Sequence, residues 1–387
     1  MRRTSCTAVA LISGLVTIGL AATANAGWDK KREKQTDASL NNLVSQATPS
    51  VAACIAMDGE PVYKKAFGMA APGVPATPTT IYRIGSLSKQ FTAAAILALI
   101  EDGGKVPKDG SKFALSDNVS LFFDGVDGWS KPGSPMTVQR LANMTSNLPD
   151  YTQTALPGLD PAQPVKESDL FKALLTLKPT STAIAYTYSS TNYFLLAKII
   201  EQVQGSIPVR MTVGHPVLKF KADYRDYIRR RIFARAKLTA TNFIDDPQPL
   251  GQAAAPTLPP TPYYANMSWP KGAGAIQSNV ADLCTWDAAL IGGSVLTAAS
   301  AATMGTPGSP YDNGSPPTTY AMGWSVSKYQ VNLEYWHNGF IPGFSATSTV
   351  VYYGQHYIAV VILTNGDKNF ALLGTARNIV QSVINPP

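Results

Sequence analysis

The pattern of apolar and polar positions divides the chain before any single residue does. Val51 to Met69 carries two extended apolar stretches around Asp58-Gly59-Glu60-Pro61, which predicts two strands and a turn. Phe91 to Ile100 is strongly apolar. Phe91, Ala94, Ala95, Ala98 and Leu99 recur at helical spacing and Gly103-Gly104 supply a stop, so a helix opens near Ser86. From there to about residue 245 the chain reads as helical and loop-rich, with its clearest helices at 169–177, 192–203 and 224–236. Pro247 to Pro262 is a Pro/Ala-rich loop or linker, and Thr306 to Pro317 a Gly/Pro-rich loop. A helix at 279–290, ending at Gly292-Gly293, lies between them. Strands at 321–327, 345–353 and 357–364 and a terminal helix at 370–384 close the chain.

Strands at both ends with helices between predict a discontinuous α/β (α+β) architecture. The two ends, 27–85 and 265–387, make one antiparallel sheet flanked by N- and C-terminal helices. Residues 86–264 form a helical lobe inserted into it. Ser86 falls at the seam, where a cleft between lobes is the default site.

Composition narrows the picture only where it departs from the ordinary. The 387 residues carry a net charge of +7. Residues 1–26 read as a secretory leader: Arg2-Arg3, the apolar stretch Ala8 to Ala22, then Ala24-Asn25-Ala26 as a small-residue cleavage site. The alternative is a membrane anchor, disfavoured by Ser13, Gly14, Thr17 and Gly19 within the apolar stretch. The leader contains two arginines and no acid, so the mature chain carries +7 − 2, or +5. No basic run with interleaved aromatics suggests a nucleic-acid partner, and Arg229-Arg230-Arg231 reads as a solvated helix face. A periplasmic or secreted protein with no stable membrane span is expected. Export permits Cys54 and Cys284 to pair, although two cysteines in a large domain are more often buried and free. His215, His337 and His356 are far apart, no metal-ligand spacing occurs, and no cofactor is expected. There is no G-x-S-x-G elbow.

Ser86-Leu87-Ser88-Lys89 carries the chemistry. Positions i and i+3 of a helix share a face, so the Lys89 ammonium can reach the Ser86 oxygen. The helix N-terminus adds free N–H groups where an oxyanion would develop. Ser86 can also be read as a helix N-cap. A second copy of the spacing, Ser268-Trp269-Pro270-Lys271, contains a proline and is followed by Gly272, which argues against a long helix.

Further blocks accompany the first: Thr145-Ser146-Asn147-Leu148-Pro149-Asp150-Tyr151, Tyr188-Ser189, Gly272 to Ser278 with Asp282-Leu283, Tyr320-Ala321-Met322-Gly323-Trp324, His337-Asn338-Gly339 and Thr364-Asn365-Gly366. In this order they resemble the β-lactamase-related serine hydrolases, which include class C β-lactamases, D-Ala-D-Ala carboxypeptidases and family VIII carboxylesterases. The resemblance runs from about Val51 to Ile384. It implies that Ser86 is the acylated nucleophile and Lys89 its activating partner. Tyr188 resembles the general base, its phenol, ordinarily with a pKa of about 10, kept acidic by lysine charge; its bland reading is a core aromatic. His337 stands where family members carry lysine or histidine on the strand lining the cleft, or is a satisfied structural histidine. The backbone N–H groups of Ser86 and Phe340 would form the oxyanion hole, with Gly339 and Ser190 also lining the site.

The departures are specific. The family's Y-x-N reads Tyr188-Ser189-Ser190, so the asparagine is absent. The histidine and glycine of its H-T-S-G-L block are Met144 and Asn147, and the glycine before Tyr193 is Asn192, a residue that tolerates the left-handed region. Residues 207–222 look like an insertion. Ser116-Asp117-Asn118 reads as a turn, and Tyr264-Ala265-Asn266 and Tyr311-Asp312-Asn313 fall in loops. The expectation is an exported serine hydrolase acting through an acyl-enzyme on a small ester, peptide or lactam, most simply a carboxylesterase. The enzymatic rivals are a D-Ala-D-Ala carboxypeptidase or D-aminopeptidase and a class C β-lactamase. The rival of another class is a non-catalytic binding module with a degenerate cleft.

Overall fold

The computed structural model describes residues 28–160, 165–207, 223–246, 253–256, 269–308, 317–366 and 369–384. The leader, residues 208–222, most of both Pro-rich loops, Ser268, Tyr264–Asn266 and Tyr311–Asn313 lie outside the described residues. Eight strands form one antiparallel sheet in the order β3-β2-β1-β11-β10-β9-β8-β7. They are β1 (Ser50–Met57), β2 (Glu60–Ala71), β3 (Val74–Pro75), β7 (Thr319–Tyr320), β8 (Ser325–Tyr329), β9 (Asn332–Ile341), β10 (Phe344–Tyr353) and β11 (His356–Thr364). Three short strands, β4 (Tyr82–Arg83), β6 (Ile276–Ser278) and β5 (Asn242–Phe243), make a second sheet. The helices are α1 (Lys30–Asn41), α2 (Ser88–Glu101), α3 (Val138–Ala142), α4 (Glu167–Thr176), α5 (Ser190–Gln204), α6 (Tyr224–Tyr227), α7 (Lys271–Gly274), α8 (Val280–Ile291), α9 (Ala298–Met304) and α10 (Asn369–Ile384). None among the described residues is long and apolar enough to cross a membrane.

The period of two in the central strands sorts side chains onto two buried faces. Val51, Ala53, Ile55 and Met57 of β1 join Ile358, Val360 and Ile362 of β11 against Leu40 of α1 and Leu372, Ala376, Ile379 and Val380 of α10. Their neighbours Ala52, Cys54, Ala56, Ala359, Val361 and Leu363 join the larger core, on the side of the sheet against which α8 packs. Both faces are covered, which is why these strands read as continuous apolar runs. Helix α2 is buried all round from Ser88 to Leu99, as expected for a helix without a polar stripe. It is the layer between sheet and helical lobe, and it begins at the Ser86 turn.

Several expectations need correction. The apolar pattern predicts no strand between 327 and 345, yet β9 runs there and His337 and Gly339 lie inside it. Gly339 and Asn338 interrupt the apolar pattern there. The apolar pattern sets no bounds for α1, because its sequence is mostly polar and only Thr36 and Leu40 are buried. Helix α6 continues as a π-helix, Ile228–Phe233, and Arg231 on it is not solvated. It is buried, ion-paired with Glu101 and Asp102. Cys54 and Cys284 are not free: they form a disulfide that ties β1 to α8 across 230 residues of sequence. Ser116 does lie in a turn, and Asn118 caps the 3-10 turn that follows.

The buried carboxyl of Asp287 on α8 gives a pH-dependent stability. Burial outweighs the hydrogen bond donated by Ser348 and raises its pKa to about 7. In the unfolded chain the carboxyl loses its proton near pH 4. Between pH 4 and 7 the folded state therefore binds the extra proton, and stability falls as pH rises through that window. Asp287→Asn is expected to raise Tm at pH 8 by a few degrees and to leave it unchanged near pH 4. Calorimetry at the two pH values checks this; an equal gain at both would exclude the titration of Asp287 as its source.

Candidate active site

The site is assembled where three elements meet. The 3-10 turn Gly85–Leu87 brings Ser86 ahead of α2. The segment before α5 brings Tyr188, and β9 passes alongside with His337, Gly339 and Phe340. Two glycines permit the approach. A Cβ on Gly85 would lie 2.7 Å from the Phe340 nitrogen, and one on Gly339 would lie 1.9 Å from the Ile84 carbonyl oxygen. No larger residue fits at either position without moving backbone. The Ser86 turn and Phe340 are thereby held side by side, and the Phe340 side chain stays 43% exposed.

Ser86 Oγ has two close partners. Lys89 Nζ lies 2.8 Å from it, as the one-turn spacing predicts, and Tyr188 Oη donates to it at 2.8 Å. Lys89 is fully buried, and its Nζ also donates to the Ala273 carbonyl at 2.9 Å. Burial lowers its pKa to about 7, against the opposing charge of Asp150. Nζ sits 5.0 Å from the centre of the Tyr188 ring. At neutral pH this lysine populates a neutral amine that can accept a proton, a capacity an exposed lysine lacks. Ser190 opens α5 and is buried, but it is not among the partners of Lys89.

His337 is occupied elsewhere. Its Nδ1 donates to the Asn338 carbonyl at 2.6 Å, which leaves Nε2 to accept from the Tyr320 phenol at 3.1 Å. Burial first, then the neighbouring Lys89 charge, lower its pKa to about 3. The imidazole is neutral and has no free nitrogen for Ser86. Tyr320, to which the sequence assigned no role, is the residue that holds this ring. The signal was its position in the Tyr320–Trp324 block; Gly323 there passes within 2.9 Å of the Gln90 Cα if given a Cβ.

The segment that presents Tyr188 is fixed from behind by residues 144–148. Thr187 N–H donates to the Met144 carbonyl, and Asn147 bonds the Ser181 and Ala183 carbonyls and accepts from Thr187 Oγ1. Met144 and Asn147 both sit at positive φ, 56° and 57°. Asn192 makes no use of its tolerance of the left-handed region and lies inside helix α5. The Thr364-Asn365-Gly366 block is a clasp away from the serine: Asn365 accepts from the Ser50 N–H and hydroxyl and donates to the Ala70 and Ala255 carbonyls. Among the described residues no group of three or more His, Cys, Asp or Glu could hold a metal ion.

The sequence matches the Beta-lactamase family over residues 21–383. The chain belongs to that family. PbpX of Bacillus subtilis (strain 168), which carries penicillin-binding protein in its name, is 27% identical over 368 residues, 92% of this chain and 82% of that protein. The D-aminopeptidase of Brucella ovis is 30% identical over 203 residues, 51% of this chain and 33% of its own length. The solved structure of D-amino acid amidase from Ochrobactrum anthropi SV3 has a TM-score of 0.71 at 19% identity, covering 92% of this chain and 100% of that one. At that identity the likeness speaks for the fold.

The geometry around His337 predicts the outcome of removing it. His337→Asn is expected to lower the rate of acylation but to leave a Ser86 adduct detectable by intact mass. Complete loss of the adduct in a variant with an unchanged circular dichroism spectrum would instead favour a serine–histidine couple.

Proposed function

We propose that this Beta-lactamase family member is an exported serine hydrolase that works through an acyl-enzyme on Ser86. The observation that carries this is the placement of one serine oxygen 2.8 Å from both a buried lysine and a tyrosine phenol. Ser86 Oγ attacks the substrate carbonyl carbon, and its proton passes to the neutral Lys89 amine. The carbonyl oxygen takes up the negative charge between the backbone N–H groups of Ser86 and Phe340. The proton leaves with the departing alcohol or amine by way of Tyr188. In the second half, water attacks the acyl carbon and gives a proton to the same pair, which returns it to Ser86 Oγ as the acyl–oxygen bond breaks and the acid is released.

Within this reaction class we favour a carboxylester as substrate. Ser190 supplies one hydroxyl where the resembling enzymes carry an asparagine amide, so a substrate amide or lactam side chain has one arm fewer to bind. An activated ester depends less on that hold. Amide cleavage, as in the names of the D-aminopeptidase and D-amino acid amidase relatives, is the second reading. Export is supported by the leader pattern of residues 1–26 and by the Cys54–Cys284 disulfide, since such bonds persist in oxidising compartments.

Intact-mass detection of an acyl adduct after exposure to p-nitrophenyl esters, D-amino-acid amides and penicillins tests the class. An adduct on Ser86, absent in Ser86→Ala, is expected; labelling that persists in the mutant overturns the assignment. The acylation rate should fall about tenfold per pH unit below pH 7, where Lys89 becomes protonated, and level off above it. For the substrate, p-nitrophenyl butyrate should outrun a cephalosporin. Ser190→Asn should raise the cephalosporin-to-ester ratio of kcat/KM several-fold, as one hydrogen bond of about 0.5–1.5 kcal/mol implies. A ratio that falls would remove Ser190 from the account.

A further inference from the structure

The second serine–lysine spacing in the chain ends at Lys271, and the structure makes that lysine one corner of an ion-pair ring. Lys271 opens the four-residue turn α7 and is 8% exposed, at a φ of 31° that side-chain-bearing residues rarely adopt. Its Nζ lies 2.7 Å from Glu167 Oε1 of α4 and 2.5 Å from Glu201 Oε1 of α5. Lys198 of α5 pairs with the same two carboxylates. Two lysines and two glutamates thus close a ring that joins α4, α5 and the turn. Burial would raise the Glu167 carboxyl, yet the charges of Lys271 and Lys198 hold it below its ordinary value.

The turn that this ring anchors supplies carbonyls to the start of α2. The Gly272 carbonyl accepts from Thr92 Oγ1 at 2.7 Å, and the Ala273 carbonyl accepts from Lys89 Nζ at 2.9 Å. The turn has no slack: a Cβ on Gly272 would lie 2.5 Å from the Tyr193 carbonyl and 2.8 Å from Ala197 Cβ of α5. Just upstream, the Trp269 carbonyl accepts from Tyr151 Oη. Among the described residues Lys89 Nζ has two hydrogen-bond partners, Ser86 Oγ and this carbonyl. Moving Ala273 therefore moves one of the two fixed points that aim the amine at the serine.

We infer that Lys271 is a positioning residue for the Ser86 site: its pairs with Glu167 and Glu201 lock α7 so that the Ala273 carbonyl holds Lys89 Nζ against Ser86 Oγ. The inference rests on Lys89 as the proton acceptor proposed above. It assigns the ion-pair ring to catalysis rather than to stability alone. Misplacement of a reacting group by about 1 Å from a distant change can cost up to about 10²-fold in rate, whereas a stabilising role alone would leave each folded molecule as fast as before.

The test is the rate of covalent labelling by a fluorophosphonate, read together with the fraction of chains labelled by intact mass. This probe reports Ser86 reactivity whatever the natural acyl group. Lys271→Met is expected to label nearly all folded chains, at a rate at least tenfold below the native enzyme. Lys271→Arg, which keeps the charge, should recover much of that rate. Arg231→Met removes two different ion pairs, with Glu101 and Asp102 at the far end of α2, and should lower Tm without slowing labelling. If Lys271→Met does not fold, Glu201→Gln takes its place, because Lys271 then keeps only Glu167. A native labelling rate in whichever of the two is folded overturns the inference. Lys89→Ala separates the two levels: a native rate in that variant removes the proton-acceptor reading itself, while a lost rate there beside a native rate in Lys271→Met removes only the role of Lys271.

Discussion

The removal of the Lys89 amine from water is the constraint on which the rest of the site depends. A lysine at the head of a wholly buried helix has lost its hydration, and among the described residues no carboxylate bonds it in return. Its charged form is therefore expensive, and its pKa drops into the neutral range. An ion partner such as those that hold Lys271 and Lys198 would reverse this, because a bound carboxylate stabilises the ammonium. The fold keeps these two kinds of lysine apart. Paired lysines sit in the ring behind α7, and Lys89 faces the serine with the Ala273 carbonyl behind it. His337 obeys the same logic. A second cation beside Lys89 would be costly, and both ring nitrogens of His337 are engaged by groups that suit the neutral form.

Close backbone approach is the second requirement. The serine turn and β9 belong to opposite ends of the chain, and they touch because Gly85 and Gly339 have no Cβ to intervene. The sheet makes this contact possible by pairing β1 with β11, so the first and last strands lie side by side at its centre. The disulfide from Cys54 to Cys284 and the Asn365 clasp to Ser50 join the same two ends. The helical lobe is thereby a long excursion whose entry and exit are fixed. In the chain-entropy picture, closing so long a loop restricts the unfolded state more than it strains the folded one.

Much of this was legible in the sequence, for identifiable reasons. The strand pair at 51–69, the helix after Ser86 and the last two strands follow from unbroken apolar runs with glycine punctuation, and all appear. The contact of Ser86 with Lys89 follows from helical spacing alone. Tyr188 could not be placed by spacing, since 102 residues separate it from Ser86; only the order of motif blocks pointed to it. What stayed hidden was carried by backbone or by charge balance. The Ala273 carbonyl has no side-chain signature. Arg231 is buried only because Glu101 and Asp102 at the end of α2 receive it. The disulfide depended on β1 and α8 lying face to face, which two isolated cysteines do not reveal.

The three departures at Met144, Asn147 and Asn192 belong to one local solution. Each replaces the residue that the resembling enzymes carry, and taken singly each is unfavourable. Met144 adopts a left-handed backbone that costs a side-chain-bearing residue roughly 1–2 kcal/mol. Asn192 places a buried amide inside a helix, where its donors and acceptor need partners. The structure sets these demands against each other. The Asn192 amide donates to the Met144 sulfur at 3.2 Å, the Ser189 N–H lies 3.4 Å from the same sulfur, and the Ser146 hydroxyl donates to the Asn192 carbonyl oxygen at 2.5 Å. Asn147, at the second left-handed position, uses its amide to fasten the 181–187 segment that ends at Tyr188. Ser189 and Asn192 flank the first turn of α5, so the sulfur, a weak acceptor, settles the helix end that immediately follows the phenol. The position of Tyr188 thus depends on a set of substitutions that make sense together, and a glycine in place of Asn192 would take from the buried Ser146 hydroxyl the oxygen to which it donates.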